Sequence, residues 1–552
     1  MKNSKPMLLL AAAVTLGSVA SAQGDMVVWR IGGSGSSSNF RYYGQSNGIA
    51  AYSVSSQSCN IGNQDLIWTS GDGTTHPVIS TNVYRLKDRR FEHIGQSWLK
   101  HGFCALCEGG CGNGTGGGCA STLRVGCADT YSASLNDGAS GGPKFTVLPA
   151  SGNHLHPDPT PTGNSTIRGR LQIATSDIQP TQNPGAEYVV EGMYIHYQDH
   201  QNGYAANNAT WRHVSFNGSN TMSADDGINN VGESGLYGWK DLDPQVTVQQ
   251  VVNNNEAGSG IHGYYDVAAR VWDNGDGTWD YSYAVYNLNS TQGADSFSVP
   301  SGGATITNSW FSDVSYHSGE PQDGTDWIMT EGAGSVTWDC TQTYNQNADA
   351  NAINWGSAYS FGFTADAGPV SGVGQLNMFE PGVGNVLTFP IDGPGVGSTV
   401  GTAYCFGDGT GTNCPCINPG APGEGCLNSS GSGAVLAGNG NASVSSDDVV
   451  LSVSQTPTNV FGLFFSGTTA VNGGNGATFG DGLRCAGGQV KRLQLRSTGS
   501  AGATDSTVGI SASDGAQAGQ TRYYQFWVRD PQNGPCGSGF NLSSALSINW
   551  GA

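Results

Sequence analysis

The sequence predicts an all-β protein: tandem β-sandwich or jelly-roll-like domains, followed by a separate disulfide-stapled C-terminal β module. Three observations carry that expectation. Apolar and aromatic residues alternate with polar ones over short runs, the period of a strand with one buried face. Glycine is abundant (85 of 552 residues) while charged residues are 12%. The 9% of aromatic residues fall inside the alternating runs, so the glycine reads as turn chemistry rather than disorder. Amphipathic helix patterns are scarce, the best lying around Gln96 to Leu106.

The first element is a leader. Lys2 and Lys5 precede an apolar run from Met7 to Val14, and Val19-Ala20-Ser21-Ala22 offers small residues at cleavage spacing. This is the pattern of a secretory signal over residues 1–22, with the mature chain starting at Gln23. The apolar run is shorter than the roughly 18 residues that span a bilayer, and no later segment is long and apolar enough to do so. The expected location is therefore secreted, extracellular or at the cell surface.

Within the mature chain, Trp279, Tyr281, Tyr283 and Val285 alternate with Asp280, Ser282, Ala284 and Tyr286, one face aromatic. Before them, Asp273-Asn274-Gly275-Asp276-Gly277 reads as a hairpin loop. Shorter alternations occur at Leu171/Ile173, Val246/Val248, Val449/Leu451/Val453 and Leu493/Leu495. A linker-like stretch, Gly393-Pro394-Gly395-Val396-Gly397-Ser398, marks a boundary, and composition changes across it. All ten His lie at or before His317, whereas six Cys (Cys405, Cys414, Cys416, Cys426, Cys485 and Cys536) lie after the boundary. Pro157, Pro159 and Pro161 suggest a further boundary near residue 160. The expected domains are a Cys-rich β domain over 23–160, a β-sandwich over 161–395 and a stapled β module over 396–552.

Net charge is −20, or −22 without Lys2 and Lys5. From Gly401 onward six Lys/Arg face eight Asp/Glu, while residues 23–400 carry 14 basic and 34 acidic side chains. Such a surface repels nucleic acid and anionic membranes, which need cationic neutralisation.

Several segments resemble known exported proteins. Tyr404–Cys416 (YCFGDGTGTNCPC), Phe479–Gly488 (FGDGLRCAGG) and Tyr523–Ser543 (YYQFWVRDPQNGPCGSGFNLS) look like a C-terminal module that recurs on exported bacterial proteins. Cys59–Gly62, Ile94–Phe103, Val125–Asn136, Asp276–Ser290 and His317–Trp327 resemble an uncharacterised family of exported bacterial β-rich proteins. The resemblance implies export and modular construction, and no mechanism.

Three groups of residues could carry chemistry. Cys104, Cys107, Cys111, Cys119 and Cys127 include a Cys-x-x-Cys pair whose spacing suits zinc or a redox dithiol. An oxidising compartment favours structural disulfides instead, with Cys59 and Cys340 as further partners. Seven Cys before residue 400 leave one over. A copper or zinc site needs several imidazoles converging from separate strands. His101, His196 and His317 are the best placed, each beside a patterned apolar segment, with His76 as a fourth. His196 and His200 are four apart but follow a strand-like run, and His154 and His156 sit among prolines. Asp313, Glu320, Asp323 and Asp326 surround His317 and could offer oxygen ligands to calcium. Nucleophile-elbow and P-loop motifs are missing. The expected function is non-catalytic binding of a glycan or another envelope component; the alternative is a copper- or zinc-dependent secreted enzyme acting on an extracellular polymer.

Overall fold

The computed structural model describes residues 23–33, 39–70, 76–154, 160–254, 256, 261–332, 334–380, 386–395, 400–445, 447, 449–531 and 534–552. The expected leader, His156, Pro157, Pro159 and part of the expected linker (396–398) lie outside the described residues.

The fold is all-β, and its named strands pair antiparallel throughout. Before residue 400 three sheets stack. The first is a ten-stranded sheet that includes Ile49–Val54, Val78–Lys87, Arg90–Gln96, Leu171–Ala174, Glu187–Ile195 and Ala209–Phe216. The second joins Thr247–Asn253, Gly263–Asp273, Trp279–Asn287, Ser357–Ala365 and Ile306–Ser312. The third joins Ile328–Glu331, Ser335–Asp339, Ala294–Pro300, Pro369–Met378 and Val386–Pro394. A smaller sheet of Met26–Ile31, Ser56–Asn60 and Ala128–Tyr131 flanks the stack.

The second sheet is the middle layer, and the alternation along Trp279–Asn287 explains why. Tyr281, Tyr283 and Val285 face Phe297, Trp338, Leu376 and Ile391 of the third sheet in one aromatic core. On the opposite face, Ala284 and Tyr286 pack with Tyr84, Phe91, Val189 and Trp211 of the ten-stranded sheet. The face that alternation marks as the polar one is therefore also buried, with Ser282 3% and Tyr286 0% exposed. A central strand reads as half-buried here because small and amphipathic residues (Ser, Ala, Tyr) serve its second interface. The hairpin at 273–277 is present, closed by Asn274 N–H donating to the Thr278 carbonyl.

Two expectations are corrected. The boundary near residue 160 falls within one sheet: Leu171–Ala174 pairs with both Ile49–Val54 and Arg90–Gln96. The helix around Gln96–Leu106 is not formed; the chain leaves the strand Arg90–Gln96 and makes a two-residue strand, Lys100–His101. Cys104 and Cys107, with φ of 74° and 49°, are backbone turns a helix excludes.

Every strand after residue 400 pairs, among the described residues, with another strand after residue 400. Thr402–Tyr404, Phe540–Asn549, Thr521–Arg529, Phe461–Gly467 and Lys491–Ser497 form a five-stranded sheet. Its inner face, with Phe464, Tyr524, Phe526 and Ile548, packs against Leu436, Leu451 and Val453 of a three-stranded sheet. Three disulfides, Cys405–Cys485, Cys414–Cys426 and Cys416–Cys536, close within this region. The other three are Cys59–Cys111, Cys104–Cys119 and Cys107–Cys127, and Cys340 is a thiol. The Cys104-x-x-Cys107 pair is thus split between two bridges, as a Gly-rich loop stapled in an oxidising compartment would be.

Candidate functional site

The four predicted metal ligands do not gather. His76 and His101 meet, Nε2 to Nδ1 at 2.9 Å, but His76 Nδ1 is 3.0 Å from the Thr69 carbonyl and His101 Nε2 is 2.9 Å from that of Gly141. His196 turns Nε2 to the Ile67 carbonyl at 2.7 Å, while its Nδ1 accepts from Gln198 N–H. It caps the short helix Tyr197–Gln201, which places His200 on a helix after all; His200 Nε2 is spent on the His262 carbonyl. His317 contacts the Gln96 carbonyl and Ser318 Oγ. Burial drives the pKa of His196, His200 and His317 down to about 4, so these rings are neutral hydrogen-bonding groups at neutral pH. Only the backbone of His154 is placed, in the two-residue strand Asn153–His154.

The acidic loop divides its carboxylates among separate tasks. Asp313 accepts from Asn351 Nδ2, and Asp323 accepts from both the N–H and the hydroxyl of Thr325. Glu320 turns inward, accepting from His317 N–H at 2.7 Å. Among the described residues no three His, Cys, Asp or Glu side chains form a group that could hold a metal ion.

A candidate binding surface lies elsewhere, on the outer face of the C-terminal five-stranded sheet. Strand register lines up Leu495, Leu463, Trp527 and Leu542 across four neighbouring strands, because residues directly opposite share a face. Phe465 stands beside them, paired with Arg492. The hairpin Ala477–Phe479 and Gly482–Arg484 folds over one end, where Phe479, Phe540 and Trp527 follow one another with ring centres 5.1 and 5.6 Å apart. Together with Arg484 and Val490 these residues, Phe540 aside, line a groove of about 540 Å³. Its apolar rim is open to solvent: Leu495 is 63% exposed and Phe479 44%. Lys491–Ser497 is the outermost strand and carries three of the six cations after residue 400 (Lys491, Arg492 and Arg496), while Arg484 stands on the hairpin strand Gly482–Arg484.

A larger cleft of about 690 Å³ involves Arg30, Gly32, Phe40, Arg212 and Asn229. It is polar, and the Arg212 guanidinium is already engaged by the Ile31, Gly32 and Asp226 carbonyls. The groove is the stronger candidate, since its apolar rim is uncovered.

A second constellation is fully buried between the ten-stranded and middle sheets. Glu191 and Asn82 sit directly opposite each other on paired strands, and Gln96 is opposite Asn82 on the other side. The short turn Lys144–Thr146 sends the Lys144 ammonium to Asn82 Oδ1 (2.9 Å), Gln96 Oε1 (3.0 Å) and the Gly356 carbonyl (2.7 Å). Sequence reading passed over these residues. The available signal was a lone glutamate inside an otherwise apolar strand (Tyr188–Ile195), with Asn82 in a similar setting.

No family model and no curated protein matches the chain. A crystal structure of a tetra-tandem repeat in the extending region of a large adhesion protein is 9% identical, covering 95% of this chain and 74% of that one. Its TM-score is 0.14, a likeness that carries no argument about fold or function.

Proposed function

We propose that the protein is an exported, non-catalytic binding protein whose C-terminal groove takes an anionic glycan of the envelope or its surroundings. The observation that carries this reading is the pairing of exposed apolar residues, Phe479 and Leu495, and the half-buried Trp527 with Arg484 and Arg492 around one groove. Trp527 and Phe479 offer flat apolar surface to the C–H face of a sugar ring, and Arg484 and Arg492 offer forked donors to carboxylate or sulfate groups. Large apolar exposure of this kind on a stable, disulfide-held module is a feature of interaction surfaces. Export is supported by six disulfides, which cytosolic conditions do not sustain. Among the described residues no helix is long and apolar enough to cross a membrane. We read residues 400–552 as a unit of their own, on the strength of their internal pairing and bridges.

Affinity electrophoresis and calorimetry of the whole protein with a polyuronate, a sulfated polysaccharide and neutral dextran test the reading. Binding to one of the charged polymers that weakens with salt is expected, because ionic contacts are screened. Equal retention by dextran, or none by any polymer, overturns it. Self-association in the absence of polymer, abolished by Trp527→Ala, would give the groove to a second copy instead.

A further inference from the structure

We infer that Lys144 and Asn82 are the partners of an intramolecular isopeptide bond, formed under the direction of Glu191, that covalently ties the strand Val78–Lys87 to the turn at 144–146. The geometry supplies all three groups a self-catalysed amide exchange needs. The nucleophile is the Lys144 amine, 2.9 Å from the Asn82 amide oxygen; the amide carbon lies one C=O bond, about 1.2 Å, beyond that oxygen. The electrophile is the Asn82 side chain, 0% exposed and held at both ends. Its oxygen faces the amine, and its Nδ2 donates to Glu191 Oε1 at 2.8 Å and to the Gly356 carbonyl at 3.1 Å. The acid–base group is Glu191, on the leaving-nitrogen side of the amide and opposite Asn82 in strand register.

The surroundings favour the neutral amine that the reaction uses and surround the Glu191 carboxylate with donors. Lys144, Asn82 and Glu191 are all buried between two sheets, and Tyr286 O–H donates to Glu191 at 2.7 Å. Burial lowers the Lys144 amine to about 7, against the raising influence of Glu320 and Glu191, so a free lone pair is available near neutrality. Burial also raises Glu191, partly offset by the donors from Gly235, Tyr286 and Asn82 and by Lys144. His93 and His317, the other titratable groups close to Lys144, are held neutral chiefly by burial. Gly356 belongs to the same design. Its φ is +73°, and a Cβ there would stand 3.0 Å from both Lys144 Cδ and Met193 Sδ, so the backbone carbonyl can reach the ammonium only if this residue lacks a side chain.

The step balances without a redox partner. The Lys144 lone pair forms a bond to Asn82 Cγ. The amine passes one proton to Glu191, Glu191 returns a proton to Nδ2, and the Cγ–Nδ2 bond breaks to expel ammonia. The product is a secondary amide whose N–H remains within the same polar shell. General acid–base assistance and enforced proximity are the means by which an otherwise inert amide would react.

Mass spectrometry of the whole exported protein, reduced and alkylated, decides the matter. The expected result is a chain lighter than its sequence by one ammonia, and a digest containing a branched peptide that joins Lys144 to Asn82. The branched peptide is essential, because cyclisation of an N-terminal Gln23 would expel the same mass. Glu191→Gln, which keeps shape and removes the proton relay, is expected to show separate Lys144 and Asn82 peptides; Lys144→Arg controls for the nucleophile. Wild-type protein giving only separate peptides overturns the proposal, as does a branched peptide at undiminished yield in Glu191→Gln.

Discussion

The body of the chain before residue 400 and the module after it solve the same problem, holding antiparallel sheets together, by different means. The body buries ionisable groups of both signs, Lys144 together with Glu191, Asp199, Glu256 and Asp266, where the module buries the carboxyl groups Asp481, Asp514 and Asp530. Its histidines serve as neutral links between backbone carbonyls and side chains. The module keeps an apolar core of Phe464, Tyr524, Phe526 and Ile548, relies on three bridges, and carries three of its six cations on one edge strand. Interior polarity specifies how layers meet, whereas surface polarity beside an uncovered apolar rim specifies what else can be met. This contrast fits the proposal that binding lies in the module and architecture in the body.

The largest effect should come from unbalancing the body's interior. Lys144→Met leaves the buried Glu191 and Asn82 without the polar partner, hydrogen-bonded or covalent, that Lys144 supplies between two sheets, at a cost of about 3–5 kcal/mol. Chemical denaturation of the secreted protein measures it, and a loss below about 1 kcal/mol would mean that the layers do not depend on this centre. In the module, replacing Cys416 and Cys536 together by Ser opens a bridge spanning 120 residues. The expected loss is about 2–4 kcal/mol. It should fall on one calorimetric transition; a loss spread equally over the whole chain would erase the distinction between the two regions.

Acidity separates the regions by sign. Burial raises Asp199 from 3.8 to about 8, so the folded body holds an extra proton in that window and its stability falls as pH rises through it. Asp199→Asn should remove this contribution, flattening the slope by up to about 1.4 kcal/mol per pH unit. In the module, burial would raise Asp481, but donors from Ser538, Cys536 and Gly537 outweigh it and lower the group. Its contribution is present above 3.8 and is lost as pH falls through the depressed value. Thermal unfolding of wild type and Asp199→Asn between pH 5 and 9 tests the first half, and Asp481→Asn below pH 4 the second. The smallest effect on stability belongs to the groove: Leu495→Ser should stay within about 0.5 kcal/mol. A larger loss would make the exposed face a structural one.

Much of the fold was legible in the sequence, because strand periodicity and turn residues are local signals. The alternation at Trp279–Val285, the hairpin at 273–277 and the Cys-rich tail all stand where local chemistry put them. What escaped was non-local. That Tyr286 faces a second interface depends on a sheet built from residues 49–216, and that Asn82 opposes Glu191 depends on register between strands more than 100 residues apart. The histidines were singled out for being held in defined positions, and they are. Their positions are fixed by hydrogen bonds to carbonyls such as those of Ile67, Gln96 and Gly141, and no local pattern announces such a partner. The groove was equally hidden, since Trp527 and Leu495 become neighbours of Leu463 only once three strands pair.

The claim that the module carries recognition rests most directly on Trp527. Titrating the whole protein and its Trp527→Ala and Arg492→Gln variants with a polyuronate, by calorimetry at low and at physiological salt, tests it. The account predicts at least a tenfold weaker affinity for Trp527→Ala, about 1.4 kcal/mol, with the unfolding transitions of the body unchanged. It also predicts a shallower salt dependence for Arg492→Gln. Unaltered affinity in Trp527→Ala, with the polymer still bound, would place recognition outside the groove and contradict the account.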